Sequence, residues 1–408
     1  MGSPPRHEQA RQAATPALRG TPPVWLLVLV TFSGTLGMHV FVPALPAMAT
    51  DLQTGPAAAQ LTISLYILGL AFGQLIYGPL SDCFGRRPTL LVGLGLYTFA
   101  GAVALMAPAI ELLIAARLAQ ALGGCAGLLL GRAIVRDTTQ SGAAVRRLAL
   151  INLITMLGPG LAPILGSSIV PAFGWRAIFI LLTALGIFNL FATWFLLQET
   201  GQPSRRLSAA TVTRAYLHLL GSIRFVGFAV SGGAATTSFY SFISAAPFIL
   251  THQLQRPLSE VSLYLGLLIV GIAVGNSLAG RLAGKWPTDR LMKAGSGMLI
   301  ASSLTLLVAV LWWTPPAPLV GGLMFLYSVG AGLCSPTMSI SAISVDPQLT
   351  GSASGLYGFT QMAIGALCAA LSGLGPNPLL TVGIVLVVAS ALGRLALAGA
   401  LRRTTGAS

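Results

Sequence analysis

Long uncharged apolar runs, separated by short polar connections, dominate the chain from residue 24 onward. A helix needs about 20 consecutive apolar residues to cross a hydrocarbon core of about 30 Å. In the first part of the chain such runs cover Val24–Leu45, Ala57–Leu80, Thr89–Ala107, Leu112–Gly131, Leu148–Val170 and Ala177–Leu197. In the second part they cover Phe225–Leu250, Val261–Ala279, Ala294–Trp313, Leu319–Ile343, Gly351–Leu374 and Leu379–Leu397. The pattern predicts an all-α membrane protein with twelve transmembrane helices.

Basic residues are confined almost entirely to alternate connections. With the N-terminus inside, all of the 23 Lys and Arg lie toward the cytoplasm except Arg117, Arg176 and Arg256. Membrane proteins carry an excess of Lys and Arg in their cytoplasmic loops. We therefore expect both termini in the cytoplasm. A cleaved signal peptide at the first run is disfavoured, because its removal would break this alternation.

Five regions follow from this pattern. Residues 1–23 are predicted to be a disordered cytoplasmic tail, 24–198 a six-helix bundle, 199–222 a cytoplasmic linker, 223–401 a second six-helix bundle, and 402–408 a short tail. The first and seventh runs begin about 200 residues apart, which indicates an internal duplication. Paired six-helix bundles with pseudo-symmetry are typical of transporters that bind substrate between their halves.

Composition excludes most other classes. Of 408 residues, 55% are hydrophobic and only 8% are charged, whereas soluble domains have about 25% charged residues. The net charge of +14 comes from short clusters without interleaved aromatic residues, so it does not predict nucleic-acid binding. The four widely spaced cysteines predict neither a disulfide nor a metal site. The chain has no GxSxG, HExxH or GxxxxGK[ST] motif, so we expect no enzyme activity and no cofactor.

The most specific motif lies between the second and third predicted spans and runs from Gly78 to Pro88. Gly85 permits the positive φ of a tight turn, and Asp82 can accept hydrogen bonds from the exposed N–H groups of a helix start. Arg86 and Arg87 suit the anionic leaflet. If this turn reflected only the excess of basic residues on the cytoplasmic side, Arg86 and Arg87 would be explained but Asp82 would not.

This motif resembles the signature loop of the major facilitator superfamily, Gly-x-Leu-x-Asp-x-x-Gly-Arg-Arg. The longer run from Leu65 to Pro88 looks like the Bcr/CflA branch of drug–proton antiporters, which has Arg where this chain has Cys83. In that superfamily the loop is a conformational latch. The resemblance implies that Asp82 holds the two halves together on the cytoplasmic face when the cavity opens outward. The residues assigned to the latch are Gly78, Asp82, Gly85, Arg86 and Arg87.

Arg117 lies inside the fourth predicted span, three residues before Gln120. A charge within the bilayer usually faces an aqueous cavity, but Arg117 is near the start of its run and could instead reach the interface. The string Arg117-Leu-Ala-Gln120-Ala121 is similar to the superfamily's Arg-x-x-Gln-Gly motif, with alanine in place of glycine. That resemblance implies a role in proton coupling for Arg117 and Gln120.

The fifth predicted span is rich in glycine and proline. Proline bends a helix, and glycine lets a neighbouring helix approach closely. Packing alone can account for this composition. The string also resembles the superfamily's antiporter motif, with Ser167 in place of a glycine, which favours export by exchange. The residues concerned are Gly158, Pro159, Gly160, Pro163 and Gly166.

His39 stands where the Bcr/CflA branch usually has an aspartate, and no Asp or Glu lies deep in any predicted span. Free histidine titrates near neutral pH, so one hypothesis makes His39 the proton carrier. The other makes it a neutral hydrogen-bonding or substrate-contacting residue. Tyr66 and Gln74 are further polar groups inside spans, able to line a cavity or to join helices.

Together these features predict a transporter of the bacterial inner membrane that exports small amphipathic drugs or antibiotics in exchange for protons by alternating access. Its expected partners are the small-molecule substrate, protons and membrane lipids, with no nucleic acid, and we expect a monomer. The alternative is a proton-coupled exporter of one metabolite, such as a sugar or amino-acid derivative, on the same fold.

Overall fold

The computed structural model describes residues 22–138, 161–201, 209–346 and 349–402, with residues 136 and 209–211 described as backbone only. Its long elements are α-helices. In the first part of the chain they are α1 Val24–His39, α2 Leu45–Asp51, α3 Pro56–Phe84, α4 Arg86–Leu105, α5 Ile110–Thr138, α6 Leu161–Phe173 and α7 Arg176–Leu196. In the second they are α8 Ala209–Gly221, α9 Ile223–Thr237, α10 Tyr240–Phe248, α11 Leu258–Leu282, α12 Thr288–Trp312, α13 Ala317–Ile343, α14 Thr350–Leu371 and α15 Pro378–Arg402.

Within those ranges, 10 helical segments are long and apolar enough to cross a bilayer, or up to 11 if a bent pair counts as one span. The bent pair joins Val212–Gly221 to Ile223–Gln253 at 86°. The shorter apolar helix α6 begins where description resumes after residue 160. The predicted apolar runs therefore correspond to helices wherever the chain is described.

Two predicted spans are helical but locally irregular, the first after His39 and the seventh after Thr237. After His39 the chain makes a 3-10 turn, Val42–Ala44, before α2 continues to Asp51. Pro43 and Pro46 lie in this stretch, and proline cannot donate the hydrogen bond that a continuing helix needs. In the seventh span the break lies between α9 and α10, and α10 passes into a π-helix, Ile249–Gln253. The two breaks are about 200 residues apart.

Helix contacts repeat between the two halves. In the first half α5 packs against α1, α3 and α4, while α7 packs against α1 and α4. In the second half α13 packs against α9, α11 and α12, while α15 packs against α9 and α12. The helices therefore correspond in pairs about 200 residues apart, as the sequence duplication indicates. The pairs are α1 with α9, α3 with α11 and α5 with α13.

The bundle has two ends that are used as reference below. The motif face is the end at which α3 passes into α4 through Gly85, and the distal face is the opposite end, where residues 106–109 join α4 to α5. Among the described residues, α3 and α14 pack along each other in antiparallel orientation and join the halves. Gln60 meets Ser372 toward the distal face, and Gln74 meets Gly358 nearer the motif face. The two halves are thus in contact toward both ends of the α3–α14 interface.

Close packing between α4 and α5 depends on Gly123. A Cβ atom at this position would overlap the backbone of Gly93 and Tyr97, whereas a Cβ atom at Gly95 would meet nothing within 4 Å. We expect Gly123→Ala to lower the free energy of unfolding by about 1–3 kcal/mol, because overpacking forces the backbones apart. The matched control Gly95→Ala should leave stability unchanged or slightly raised, since alanine favours helix. Thermal unfolding of both variants in detergent measures the difference, and equal midpoints would contradict it.

Candidate functional site

Arg117 is completely buried between α1, α3, α5 and α7. Its Nη1 donates to Gln120 Oε1 at 2.8 Å, and its Nη2 donates to the carbonyl oxygen of Gly37 at 2.9 Å. The guanidinium carbon lies 4.0 Å from the ring centre of Tyr66 and 5.0 Å from that of Phe41. The alternative in which Arg117 reaches the interface is therefore wrong.

No carboxylate neutralises this cation among the described residues, since none of the ion pairs there includes Arg117. A charge in the bilayer interior costs several kcal/mol. Hydrogen bonds to neutral oxygens and the electron-rich faces of aromatic rings offset part of that cost. Arg117 Nε and Gln120 Nε2 remain buried without a hydrogen-bond partner in the described part of the chain. The site thus holds a positive charge with unused donor capacity.

Two tyrosines fix α1 against the helices that carry this site. Tyr66 Oη donates to the carbonyl oxygen of Gly34 at 2.8 Å, and Tyr97 Oη donates to that of Ser33 at 3.1 Å. A Cβ atom at Gly37 would lie 2.5 Å from Tyr66 Oη. Glycine at position 37 therefore lets the tyrosine and the guanidinium approach the backbone together. Tyr66 is fully buried and serves here to join helices.

His39 is the last residue of α1, at the break described above. Its side chain is buried, and its Nδ1 donates to the carbonyl oxygen of Thr35 at 2.9 Å. Its ring centre lies 6.4 Å from that of Tyr240, which begins α10 in the other half. We call Arg117 and its neighbours Gln120, Gly37, Tyr66 and Phe41 the Arg117 cluster. His39 thus lies between this cluster and the second half of the molecule.

The loop at the motif face forms a charged network within the first half. Arg86 Nη1 donates to Asp82 at 2.6 Å and also to Ser81, and Arg86 Nε donates to Asp137 at 3.0 Å. Gly85 has a φ of 99°, which favours glycine. These contacts join α3, α4 and α5 at this face.

Glu199 caps the start of α4, a role that the sequence did not reveal. Its Oε1 accepts from the backbone N–H of Arg86 at 2.9 Å and from that of Gly201 at 2.8 Å, while its Oε2 accepts from the N–H of Arg87 at 3.2 Å. A carboxylate at a helix N-terminus satisfies unpaired donors and the helix dipole. Arg87 in turn donates to the carbonyl oxygen of Trp194 at 2.7 Å. The end of α7 therefore holds the loop in place.

Two hydrogen-bonded contacts join the halves toward the distal face, and we call them the distal contacts. In the first, Ser372 Oγ of α14 donates to Gln60 Oε1 of α3 at 2.9 Å. In the second, Ser262 Oγ of α11 lies 2.8 Å from the carbonyl oxygen of Pro163 and 2.9 Å from Ser167 Oγ, both on α6. The chain offset relates Gln60 to Ser262 and Ser167 to Ser372, so the duplication produces both contacts.

The profile of the Major Facilitator Superfamily matches residues 27–370. The chain belongs to this superfamily. A transporter of the same superfamily from Bacillus subtilis, the uncharacterized YdgK, is 28% identical over 386 residues, 94% of this chain and 96% of that protein. A bicyclomycin resistance protein homolog of Haemophilus influenzae is 26% identical over 337 residues, 82% of this chain and 84% of that protein.

The fold agrees with solved structures of the superfamily. A bacterial homolog of the human lysosomal transporter Spinster, in an inward-facing and unoccupied conformation, matches with a TM-score of 0.71 at 14% identity. The match covers 93% of this chain and 97% of that chain. The all-helical fold therefore agrees with the superfamily match.

Among the residues that the structure describes, no hydrogen bond or ion pair of Asp82 in this major facilitator protein reaches the second half. Asp82 pairs with Arg86 of its own loop, and its side chain is 43% exposed. The role of Asp82 as a latch in another conformation stays a prediction. Gln74 does reach the second half, where its Nε2 donates to the carbonyl oxygen of Gly358 at 3.4 Å.

The glycine-rich fifth span is described only in part, because Gly158, Pro159 and Gly160 lie outside the described residues. A Cβ atom at Gly166 would overlap the carbonyl oxygen of Val40 and lie 3.3 Å from Pro43 Cδ. Gly166 therefore lets α6 contact the break after α1. Pro163 belongs to the second distal contact, so α6 meets the second half through Pro163 and its own half through Gly166.

Proposed function

We propose that this protein exports small amphipathic drugs in exchange for protons, by alternating access across the bacterial inner membrane. The observation that carries the proposal is the pair of distal contacts, which join two similar halves by hydrogen bonds between uncharged groups. Such contacts are weak, since hydrogen bonds between membrane helices average about 0.6 kcal/mol. Two halves joined in this way can separate at one end while they close at the other.

Twelve spans with both termini in the cytoplasm are part of this proposal. The ten long helices are supplemented by the bent seventh span and by α6, whose apolar run begins before the described residues. The distribution of Lys and Arg then orients the motif face toward the cytoplasm. The distal face is periplasmic, and the distal contacts close it in this conformation.

Drugs are favoured as substrates for two reasons. The relative named as a bicyclomycin resistance protein homolog shares most of its length with this chain. Aromatic side chains also face each other across the halves, with 5.6 Å between the ring centres of Phe72 and Phe359 and 6.4 Å between those of His39 and Tyr240. Rings exposed when the halves part offer hydrophobic contact to amphipathic molecules without demanding one ligand.

Proton coupling is assigned to the Arg117 cluster. The membrane potential supplies about 2.3 kcal/mol per charge per 100 mV, which is enough to support uphill export. Arg117 of α5 donates to the carbonyl oxygen of Gly37 on α1, two residues before the break after His39, so a change of charge there can alter how α1 meets α10. Arg117 and Gln120 are the residues that connect the proton to this movement.

The function is tested by a drug-susceptibility panel in an efflux-deficient host, with and without collapse of the proton gradient. We expect raised resistance to several amphipathic compounds that disappears when the gradient is collapsed. Purified protein in proteoliposomes should then release protons in exchange for the same drugs. Export of one metabolite with no change in drug resistance would favour the alternative substrate class.

His39 is expected to act as a neutral hydrogen-bond donor that holds the α1 break. We therefore expect His39→Asn, which keeps a donor near the position of Nδ1, to retain proton-dependent export within about threefold, the range expected when one modest hydrogen bond is altered. His39→Ala should reduce the rate further while the remaining export stays proton-dependent. Drug efflux at two imposed pH gradients measures both properties. If either variant exports drug independently of the gradient, His39 is the proton carrier.

A further inference from the structure

Helix α8 lies across the motif face rather than through the bundle. It meets the following helical segment, Ile223–Gln253, at 86°. That segment packs along α13, α14 and α15 and belongs to the bent seventh span. Because the span crosses the bilayer, a helix perpendicular to it runs along the membrane surface.

One side of α8 is attached to the protein. Leu219 is fully buried, and Tyr216 Oη lies 3.5 Å from the carbonyl oxygen of Leu75 on α3. On another edge, His218 is 69% exposed and its Nε2 lies 3.6 Å from Asp346, which precedes α14. The helix therefore touches both halves and has a defined orientation on the motif face.

A second side of α8 is apolar and exposed. Leu217 is 63% exposed and Leu220 is 51% exposed. At about 100° per residue these side chains lie on one edge of the helix, between the buried edge and the edge that carries Arg214 and His218. Ile223, just after the bend, is 49% exposed and extends the apolar surface. Leucine side chains on a helix that lies along the membrane surface suit the boundary between headgroups and acyl chains.

The charge of this segment is uniformly basic. Residues 200–259 contain no Asp or Glu, and Arg205, Arg206, Arg214 and Arg224 fall within 25 positions of each other. Arg214 and Arg224 are exposed, and no ion pair of the described residues includes them. A basic surface beside an exposed apolar edge is complementary to an anionic lipid leaflet.

We propose that α8 is a membrane-surface anchor for anionic phospholipid. Leu217 and Leu220 enter the acyl boundary, and Arg214 and Arg224 bind the phosphate and other anionic headgroup oxygens. Because α8 also contacts α3 and the residue before α14, lipid bound there fixes the position of both halves at the motif face. The proposal concerns a surface outside the transport pathway and does not depend on the identity of the substrate.

Lipid binding is measured by native mass spectrometry of the full-length protein titrated with phosphatidylglycerol or phosphatidylcholine. The wild type should bind phosphatidylglycerol more tightly than phosphatidylcholine. Each arginine near a membrane surface contributes about 1 kcal/mol, so Arg214→Gln with Arg224→Gln should weaken phosphatidylglycerol binding by about fivefold for each residue. Arg281→Gln with Lys285→Gln removes the same charge from exposed positions elsewhere, and this control should retain nearly all of the preference. Equal loss in the two double variants would overturn the proposal.

The depth of the apolar edge is measured independently with a spin label in bilayers that contain phosphatidylglycerol. Cys83 is replaced with alanine, because Cys125, Cys334 and Cys368 are buried. A label at Leu217→Cys should be more accessible to oxygen than to a water-soluble nickel complex, and a label at His218→Cys should show the reverse. The proposal that α8 inserts into the membrane surface would be overturned if the label at position 217 were more accessible to the nickel complex than to oxygen. It would also be overturned if another protein surface shielded that label from both reagents.

Discussion

Arg117→Met is expected to abolish proton-dependent export while raising the thermal stability of the protein. Methionine fills much of the volume of the arginine but leaves Gln120 and the carbonyl oxygen of Gly37 without their partner. The buried cation has no carboxylate among the described residues, and such a charge costs several kcal/mol in a membrane interior. Its removal therefore relieves a cost that only function explains.

Arg117→Lys separates charge from geometry. Lysine keeps the positive charge, but a compact, strongly hydrated ammonium cannot reproduce the planar fork that reaches Gln120 and Gly37 together. We expect export to fall at least tenfold, the effect of about 1.4 kcal/mol, with no gain in stability. Drug efflux in proteoliposomes and thermal unfolding in detergent give the two measurements.

The control for Arg117 is Arg281→Met, which removes one exposed arginine from the other half. It should leave both efflux and the unfolding midpoint close to those of the wild type. If proton-driven export persists in Arg117→Met, the Arg117 cluster takes no part in proton coupling. A lower unfolding midpoint in that variant would instead show that the cation stabilises the fold.

Hydropathy predicted where the chain is helical but not where the helices break. Val24–Leu45 is predominantly apolar along its whole length. Hydropathy therefore cannot detect that α1 ends at His39. Pro43 and Pro46 were the available signal in the first span, whereas no proline lies at the break after Thr237 in the seventh. The helical part of the linker, α8, was missed because its apolar residues are too few to form a span.

Motif resemblance pointed to Arg117 and Gln120, which lie three residues apart on one helix and are joined by a hydrogen bond in the structure. Their other partner, Gly37, is 80 residues away in the chain, and only the packing of α1 against α5 brings it near. Glu199 was placed at a span end by its sequence, yet its capping of α4 depends on the position of α7. Contacts between distant helices are therefore the part of the site that local patterns could not supply.

The distal contacts lead to the second large expected effect, a shift of the conformational equilibrium. Ser372→Ala with Ser262→Ala removes three hydrogen bonds between the halves: those to Gln60, Pro163 and Ser167. It also leaves the amide of Gln60, whose Nε2 has no partner among the described residues, without its bond to Ser372 while the distal face is closed. At about 0.6 kcal/mol for each bond, the population open at the distal face should rise about 20-fold.

Spin labels at Gly55→Cys and Gln255→Cys, on the distal ends of the two halves, report this shift as a longer distance between the labels. Ser277→Ala with Ser344→Ala is the matched control, because in the described part of the chain these hydroxyls donate to Ala273 and Ser341 of their own half. The control should keep the wild-type distance distribution. Turnover should fall in the first double variant alone, since each cycle must re-form a distal closure that it no longer stabilises. An unchanged distance in that variant would mean that apolar packing, rather than the serine hydroxyls, closes the distal face.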